Sequence, residues 1–327
     1  MSLRLVAALA LALLAGACGR GPNGSGIDYS GPTAGWPTYG GAPGGGHYSA
    51  ATQINPDNVH QLEQAWVYRS GHVRMPGEYQ IAYPGGDSFP VMSSAWQLTP
   101  LLVDGTLYGC SAFNRMFALE PETGVELWSF DPEVDVSKEL IVNCRGVSSW
   151  QDNAGKEGAC SHRILMATLD SRLIAVDAST GIPCADFGEN GVVDLTTGIG
   201  EHVDYEYSST SPPAILGDKL ILGAVVLDRV HDNMPGGVVR AYDVRSGELL
   251  WYWDPVPPGE EAQTDDQGRP QYRRGTTNVW SIISVDAERD LVFLPTGNTS
   301  TDFYGGQRNN LDYWSSSVVA LRGSTGE

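Results

Sequence analysis

The sequence predicts an all-β fold, a β-propeller of four-stranded antiparallel blades, on three observations. A short pattern recurs four times: a small residue, an apolar residue, a polar turn and Ser/Thr-Gly. The copies begin at Ala118, Ala175, Ala241 and Ala320, at intervals of 57, 66 and 79 residues. Paired apolar runs separated by a turn precede each copy, and no long stretch shows the 3.6-residue period of a helix. A repeated unit of four antiparallel strands is typical of propeller blades.

Each unit is expected to contain a β-hairpin ahead of the recurring pattern. Asp104-Gly105 separates two apolar runs, and an Asp-Gly pair in that setting is the strongest short hairpin signal. Asp170-Ser171, Gly217-Asp218 and a longer turn at 286–290 take the same place in the later units. The Ser/Thr-Gly turn then leads into the fourth strand. A β-sandwich or a β-helix is the alternative architecture.

The recurring turn is predicted to be structural, with a Trp in the following strand that docks on the adjacent blade. Trp128 and Trp251 stand at this place in two copies, and the last copy ends at Glu327, just before it. A propeller covers its blade faces by closing into a ring, and this chain has room for about four blades. We therefore expect the N-terminal part of a longer propeller. A second chain that supplies the remaining blades is the alternative.

The first 18 residues are predicted to be an export signal rather than part of the fold. One Arg precedes an apolar run from Leu5 to Leu14, which is too short to span a membrane. The sequence Ala-Gly-Ala-Cys at 15–18 resembles a lipobox, in which Cys18 is lipidated and becomes the mature N-terminus. An ordinary cleaved signal is the alternative. Residues 19–35 have the composition of a flexible tether, so we expect a protein of the periplasm or cell envelope, lipid-anchored to a membrane.

Charge and cysteine content narrow the possible functions. The net charge of −19 argues against a nucleic-acid partner, because the phosphates would be repelled. Four cysteines remain after Cys18, an even number that suggests disulfides in an exported protein. They are Cys110, Cys144, Cys160 and Cys184. Sequence leaves all three pairings open, and no CxxC motif points to zinc.

Several segments resemble the pyrroloquinoline quinone (PQQ) dehydrogenases, in particular the membrane-bound quinoprotein glucose dehydrogenases. The Ser/Thr-Gly-x-x-x-Trp pattern is similar to their tryptophan docking motif. More specific matches, in the family's order, are the segments 36–71, 143–148 (NCRGVS), 160–181, 207–213 (YSSTSPP), 278–281 (NVWS) and 295–306. The resemblance covers residues 36–327 and implies an eight-bladed propeller, of which about four blades are present.

The resemblance implies a function as well as a fold. Members of the family hold PQQ near the propeller axis, oxidise a sugar or polyol and pass electrons to a respiratory quinone or another acceptor. The family's catalytic Asp and its PQQ-binding Lys correspond to positions beyond Glu327, so the chain alone is expected to be inactive. A non-catalytic propeller lipoprotein that scaffolds envelope assembly is the alternative, since such proteins share the docking motif.

Four residues match cofactor contacts of the family. Trp280 corresponds to the Trp on which PQQ lies, and stacking of an indole on a flat quinone is physically apt. Arg145 matches an arginine that contacts PQQ, and its planar guanidinium suits a carboxylate. Thr210 matches a hydroxyl donor. Phe113 stands where glucose dehydrogenases typically have a His beside the cofactor, and it could cover the quinone but not donate a hydrogen bond.

Two residues match metal ligands of the related alcohol dehydrogenases. Asp228 corresponds to a ligating carboxylate and Asn298 to a ligating amide. These oxygen ligands suit Ca²⁺ or Mg²⁺ and suit Zn²⁺ poorly. For every one of these site residues the plainer interpretation is a turn, surface or core residue.

Overall fold

The computed structural model describes residues 35–82, 88–154, 157–228, 230–260, 263–302 and 304–327. The predicted signal peptide, Cys18 and all but the last residue of the predicted tether lie outside these ranges. The described chain contains strands and four short 3-10 helices, and no α-helix. The 3-10 helices are Val59–Gln61, Val136–Lys138, Asp204–Glu206 and Gly305–Gln307. Accordingly, no helix in these ranges has the length and apolar character needed to cross a membrane.

The chain divides into two units. The described part of the smaller one is residues 51–63, in which the side-chain amide of Asn58 donates to the carbonyl of Gln53 at 2.7 Å. The larger unit contains residues 34–50 and 64–327. All sheets described below, and the cavity, belong to this larger unit.

Three four-stranded antiparallel sheets and one three-stranded sheet follow one another along the larger unit. Short strands precede them: β1 (Gln80–Ala82), β2 (Ser88–Pro90) and β3 (Ala95–Trp96). The first blade is β4 (Leu101–Val103), β5 (Thr106–Cys110), β6 (Met116–Leu119) and β7 (Glu126–Phe130). After β8 (Asn143–Cys144), the second blade is β9 (Ser148–Gln151), β10 (His162–Ala167), β11 (Arg172–Asp177) and β12 (Val192–Asp194).

The later blades follow the same plan. Strand β13 (Tyr207–Ser208) leads into the third blade, which is β14 (Ala214–Leu216), β15 (Lys219–Leu222), β17 (Val239–Asp243) and β18 (Leu249–Trp253). Strand β16 (Val225–Val226) lies between β15 and β17 in sequence and pairs with β13. After β19 (Gln263–Thr264) and β20 (Pro270–Gln271), the fourth blade is β21 (Ser284–Asp286), β22 (Leu291–Pro295) and β23 (Val318–Arg322).

The observed topology confirms the predicted propeller. Within each blade the strands pair antiparallel with their neighbours in sequence. The predicted hairpin turns join β4 to β5, β10 to β11, β14 to β15 and β21 to β22. Each contains residues with positive φ, such as Asp104 at 48° and Gly105 at 75°, as turns of this kind require.

The core lies between successive blades. The first strands of the blades, β4, β9, β14 and β21, contact one another in that order. Buried residues form one apolar cluster between the first and second blades, another between the second and third, and a third between the third and fourth. A blade therefore has no complete core of its own and depends on its neighbours, as expected for a repeat protein.

The recurring turn, called the strap below, follows the third strand of each blade. In every strap a glycine N–H donates to the carbonyl four residues earlier, for example Gly181 to Asp177 at 2.8 Å. That glycine has a positive φ, 71° at Gly181 and 78° at Gly326, a conformation that favours glycine. The predicted docking is also seen: the indole N–H of Trp128 donates to the carbonyl of Ala178 in the next blade, at 2.9 Å.

Trp251 makes the equivalent bond to the carbonyl of Gly323 at 2.9 Å. Trp66, which lies outside the predicted repeat, donates to the carbonyl of Pro121 at 3.0 Å in the same manner. Sequence comparison of the straps missed it because it has no strap of its own ahead of it.

The cysteines form two disulfides, and they select one of the three possible pairings. Cys110 pairs with Cys144 and thereby links the first blade to β8. Cys160 pairs with Cys184 within the second blade region. The prediction that all four form disulfides is confirmed, and the first disulfide is adjacent in sequence to Asn143 and Arg145.

Candidate active site

A cavity of about 490 Å³ lies where loops that follow several strands come together, a volume ordinary for a small-molecule site. Its lining comes from six parts of the chain. The lining residues are Glu139, Leu140, Ile141, Asn143, Arg145, Tyr205, Ser208, Thr210, Val225, Val226, Leu227, Asp228, Asn278, Trp280, Gly297, Asn298, Asp302 and Ser316. Five of the six residues matched to cofactor or metal contacts are among them, although as many as 153 positions separate them in sequence (Arg145 to Asn298).

Arg145, Thr210 and Trp280 form one side of the cavity. The guanidinium of Arg145 lies 5.2 Å from the centre of the Trp280 ring and donates to the hydroxyl of Thr210. The backbone N–H of Arg145 also donates to the carbonyl of Thr210 at 2.8 Å. Burial lowers the pKa of Arg145, yet a guanidinium keeps its proton in proteins. Within the described ranges no carboxylate pairs with it, so this side offers a cation to a ligand.

Trp280 presents its ring to the cavity. Its side chain is 44% exposed, and its indole N–H has no hydrogen-bond partner in the described chain. The hydroxyl of Ser211 donates to the backbone carbonyl of Trp280 at 2.8 Å, which holds the segment in place. Because the backbone of Trp280 is held in place and its ring is accessible, the ring suits a flat ligand.

A close backbone approach shapes the neighbouring part of the cavity. The N–H of Gly297 donates to the carbonyl of Asn278 at 2.8 Å. A Cβ at Gly297 would lie 2.5 Å from Oδ1 of Asn278 and 3.2 Å from Nε1 of Trp280, so only glycine fits. The amide of Asn278 donates to the carbonyl of Val226 at 3.2 Å and ties this segment to β16.

Asp228 and Asn298, the predicted metal ligands, both line the cavity. Asp228 follows β16, and Asn298 follows β22. The Oδ1 atom of Asn298 accepts a hydrogen bond from the Ser316 hydroxyl at 2.9 Å, which fixes the orientation of the amide. Two oxygen-bearing side chains in the lining of one cavity suit a hard cation that completes its shell with other oxygens.

No larger ligand cluster supports a different metal site in the described ranges. The one close group of three His, Cys, Asp or Glu ligand atoms there is Cys160, Cys184 and Asp186. Because its two cysteines are joined as a disulfide, they cannot serve as thiolate ligands. The metal assignment of Asp228 and Asn298 stays a prediction.

Phe113 is not among the residues that line the cavity. It stacks on His72, with ring centres 4.8 Å apart and 15° between the planes, and it packs against an apolar cluster with Ala112, Val142 and Leu169. The structure therefore does not bring it together with the other five predicted residues. The apolar side chains that do line the cavity nearby are Leu140 and Ile141, just ahead of β8.

Sequence reasoning missed several polar residues of the lining. Oδ1 of Asn143 and Oδ1 of Asp302 are buried acceptors without a hydrogen-bond partner in the described part of the chain. Both lie in segments that the resemblance had picked out, NCRGVS and the stretch 295–306, so the motifs did contain a signal for them. Buried acceptors without partners are uncommon in folded proteins and indicate a place where a ligand supplies the donor.

Glu139 was missed as well, because it lies in none of the segments that resemble the family. It ends the 3-10 helix Val136–Lys138, and only 3% of the residue is exposed. Burial raises the pKa of Glu139 to about 9, the negative charges of Asp170 and Asp204 add to the effect, and Arg74 opposes it. At neutral pH the lining of the cavity therefore contains an uncharged carboxylic acid as well as the charged Arg145.

Most of the chain matches one protein family. Residues 36–327 match the family described as "PQQ: Glucose/ethanol/alcohol dehydrogenase, beta-propeller domain". The chain belongs to this family. It is a family of PQQ-dependent oxidoreductases, and the match confirms the resemblance inferred from the motifs.

Curated relatives agree with the family. The chain is 36% identical over 299 residues to quinoprotein glucose dehydrogenase of Escherichia coli, and 36% identical over 294 residues to the glycerol dehydrogenase large subunit of Gluconobacter thailandicus. It is 35% identical over 318 residues to quinate/shikimate dehydrogenase (quinone) of Acinetobacter baylyi. Each alignment covers 89% of this chain but only 36–38% of the relative, so the chain spans little more than a third of their length.

Solved structures support the fold independently. The quinohemoprotein alcohol dehydrogenase of Comamonas testosteroni superposes with a TM-score of 0.62, over 90% of this chain and 40% of that one. Its sequence identity of 24% is low, so this likeness concerns the fold alone. A europium-containing methanol dehydrogenase gives a TM-score of 0.61 at 23% identity.

Proposed function

We propose that this chain contributes the cofactor site of a PQQ-dependent dehydrogenase that oxidises a sugar or polyol. The observation that carries the proposal is the single cavity shared by Arg145, Thr210, Asp228, Trp280 and Asn298. Their roles were inferred from motifs far apart in sequence, so a common cavity was not guaranteed. We propose that electrons then pass to a respiratory quinone or another acceptor.

Trp280 fits the flat face of the cofactor, and Arg145 fits its carboxylates. PQQ is flat, conjugated and tricarboxylated, and the open ring of Trp280 suits the flat face. Arg145 has no carboxylate partner in the described ranges and can donate to a cofactor carboxylate, with the Thr210 hydroxyl beside it. The unpartnered oxygen atoms of Asn143 and Asp302 also fit a ligand that bears a donor.

Asp228 and Asn298 would hold Ca²⁺ or Mg²⁺ in this cavity. The hydroxyl of Ser316 keeps the Asn298 amide oriented, and a carboxylate plus an amide oxygen matches the preference of these cations. When bound, PQQ supplies the two-electron oxidation, while the cation acts as a Lewis acid. The protein's own contribution is to bind, orient and partly enclose the reacting groups.

The substrate class follows from relatives, and the base from the resemblance. The relatives' names specify glucose, glycerol and quinate or shikimate, all compounds with several hydroxyl groups. An alcohol on such a compound is the substrate class we propose here. The resemblance assigns the base that accepts the hydroxyl proton to an Asp at a position that corresponds to one beyond Glu327.

The proposed location is the periplasm or cell envelope. The Cys18 lipobox-like sequence supports attachment to a membrane through a lipid. Cells grown with radiolabelled palmitate test this attachment. Label in the wild-type protein that is lost in Cys18→Ser would support the lipid anchor, and a wild-type protein without label would contradict it.

The test of the function uses the full-length protein with added PQQ and either Ca²⁺ or Mg²⁺. We expect dye reduction with aldoses or polyols, abolished by chelation and restored by the cation. Asn298→Ala should raise the cation concentration needed for half-maximal activity by about tenfold or more, as expected for loss of one of few protein ligands. Asn309→Ala, in an exposed loop of the same region, is the control.

The scaffold alternative predicts the opposite pattern. In that case Trp280→Ala would leave cellular function intact, and the protein would neither bind PQQ nor reduce the dye. The scaffold would be favoured if substitutions in the straps disturb the cell envelope and Trp280→Ala does not.

A further inference from the structure

Glu139 occupies a rigid position at the edge of the cavity. The buried guanidinium of Arg74 donates to the backbone carbonyls of Val136 and Glu139, both at 2.6 Å, and of Leu140 at 2.9 Å. A further bond, from Nε of Arg74 to the carbonyl of Met92 at 3.0 Å, connects this segment to the chain ahead of β3. The backbone that carries Glu139 is therefore held on both sides.

The carboxyl group of Glu139 has no hydrogen-bond partner in the described chain, although only 3% of the residue is exposed. Arg74 directs its donors to main-chain carbonyls and none to this carboxyl. Its oxygens are not among the fully enclosed polar atoms that lack a partner in the described chain, so they reach the open space of the cavity. Since Glu139 lines the cavity, a ligand is the partner that the fold leaves room for.

The charge of the cavity shows which ligand chemistry this carboxyl suits. Its lining contains one basic side chain, Arg145, and three acidic ones, Glu139, Asp228 and Asp302. A bound cation would offset Asp228. An anionic ligand is disfavoured by each further carboxylate, and a proton on Glu139 removes one such charge and turns the group into a donor.

We propose that the carboxyl group of Glu139, in its neutral form, donates a hydrogen bond to an anionic oxygen of PQQ. The proposal deepens the proposed function and rests on it. Glu139 thereby adds a third donor to those of Arg145 and Thr210 in the lining of the same cavity.

The first test measures the affinity of the full-length protein for PQQ with Ca²⁺ at pH 7, from quenching of tryptophan fluorescence. Glu139→Ala should weaken binding about 10- to 100-fold, as expected for a hydrogen bond to a charged group. Glu139→Gln keeps a donor and should stay within about threefold of wild type. Glu288→Gln, on an exposed turn of the fourth blade, is the matched control and should have no effect.

The second test uses pH and separates a ligand contact from a structural role. Wild-type affinity should fall as pH rises above about 9, because Glu139 then ionises and repels the ligand. The Glu139→Gln affinity should stay flat over the same range. Asp170 and Asp204 are the same in both proteins, the hydrogen bond from Ser137 lowers the pKa of Asp135, and the Arg74 guanidinium keeps its proton. Lys138, whose pKa is raised by its hydrogen bond to Asp204, titrates in both proteins, so the difference between the curves isolates Glu139.

Specific results would overturn the proposal. They are an Ala variant that is folded by circular dichroism and binds PQQ as wild type does, or parallel pH curves for wild type and Gln. An unchanged PQQ affinity with a raised KM for the polyol would also overturn it, and would assign Glu139 to the substrate. If the Ala variant does not fold, Glu139→Met fills the space and takes its place. Wild-type protein that does not bind PQQ at all would instead refute the proposed function itself.

Discussion

Two groups of tryptophans show how the same side chain serves different ends in this propeller. The strap tryptophans, Trp128 and Trp251, bond their indole N–H to a carbonyl of the next blade and cover its strap glycine. Trp280 lines the cavity, keeps its N–H unpaired in the described chain and is 44% exposed. The two groups differ in how exposed the side chain is and in whether the indole N–H has a hydrogen-bond acceptor, although the residue type is the same. The straps hold the fold, and the loops between them form the site.

The largest effect is expected when one tryptophan of each group is replaced by alanine, because one replacement should lower stability and the other should weaken PQQ binding. Trp251→Ala removes a side chain that is 8% exposed and should lower the free energy of unfolding by about 3–5 kcal/mol. Trp280→Ala should lower it by less than about 1 kcal/mol, because the ring is already half solvated, and should weaken PQQ binding strongly. Urea unfolding and PQQ titration of both variants provide the comparison. Equal losses of stability would contradict the division.

The strap glycines give a second, smaller test. A Cβ at Gly181 would lie 2.5 Å from the Trp128 ring, and its φ of 71° is unfavourable for other residues. Gly181→Ala should therefore cost about 2–4 kcal/mol, combining backbone strain with overpacking. Gly217 has a φ of 59°, but a Cβ there would meet nothing within 4 Å, so Gly217→Ala should cost only about 1 kcal/mol. Thermal or urea unfolding measures both, and identical costs would mean that docking adds nothing.

These contrasts explain which features the sequence could predict. The straps were predictable because their Ser/Thr-Gly turns, hairpins and Trp recur, and each requires a particular backbone conformation. The site was predictable only where a family motif contained it, as with Arg145 and Trp280. Phe113 shows that a place in a family-like segment does not ensure a place in the site. It was chosen in that way, but it packs against His72 and does not line the cavity.

Glu139 is the opposite case, a residue of the cavity that the sequence did not predict. Nothing in its neighbours, Lys138 and Leu140, marks it as a cavity residue. Its burial results from Arg74, 65 positions earlier, which binds the backbone of its segment. Such long-range contacts leave no local pattern in the sequence, and the pairing of the cysteines was unpredictable for the same reason.

A third and smallest test compares a buried carboxyl in the third blade region with Glu139. Burial raises the pKa of Asp254 to about 6, although the N–H of Arg273 donates to it at 2.7 Å. The folded protein thus binds this proton more tightly than the unfolded chain, and stability should fall as pH rises from about 4 to 6. Asp254→Asn should flatten that decline by about 2 kcal/mol in urea unfolding and leave PQQ affinity unchanged. A reduced affinity would show that the blade and the cavity are coupled there.

The most direct test of the central claim is a PQQ titration of the full-length protein with Ca²⁺ present, followed by tryptophan fluorescence. The cavity of Arg145, Thr210 and Trp280 predicts saturable quenching at one PQQ per chain, at micromolar or lower concentration, that is lost in Trp280→Ala and retained in folded Trp128→Phe. Absence of quenching by wild-type protein, or equal quenching in Trp280→Ala, would contradict the assignment of this cavity to the cofactor.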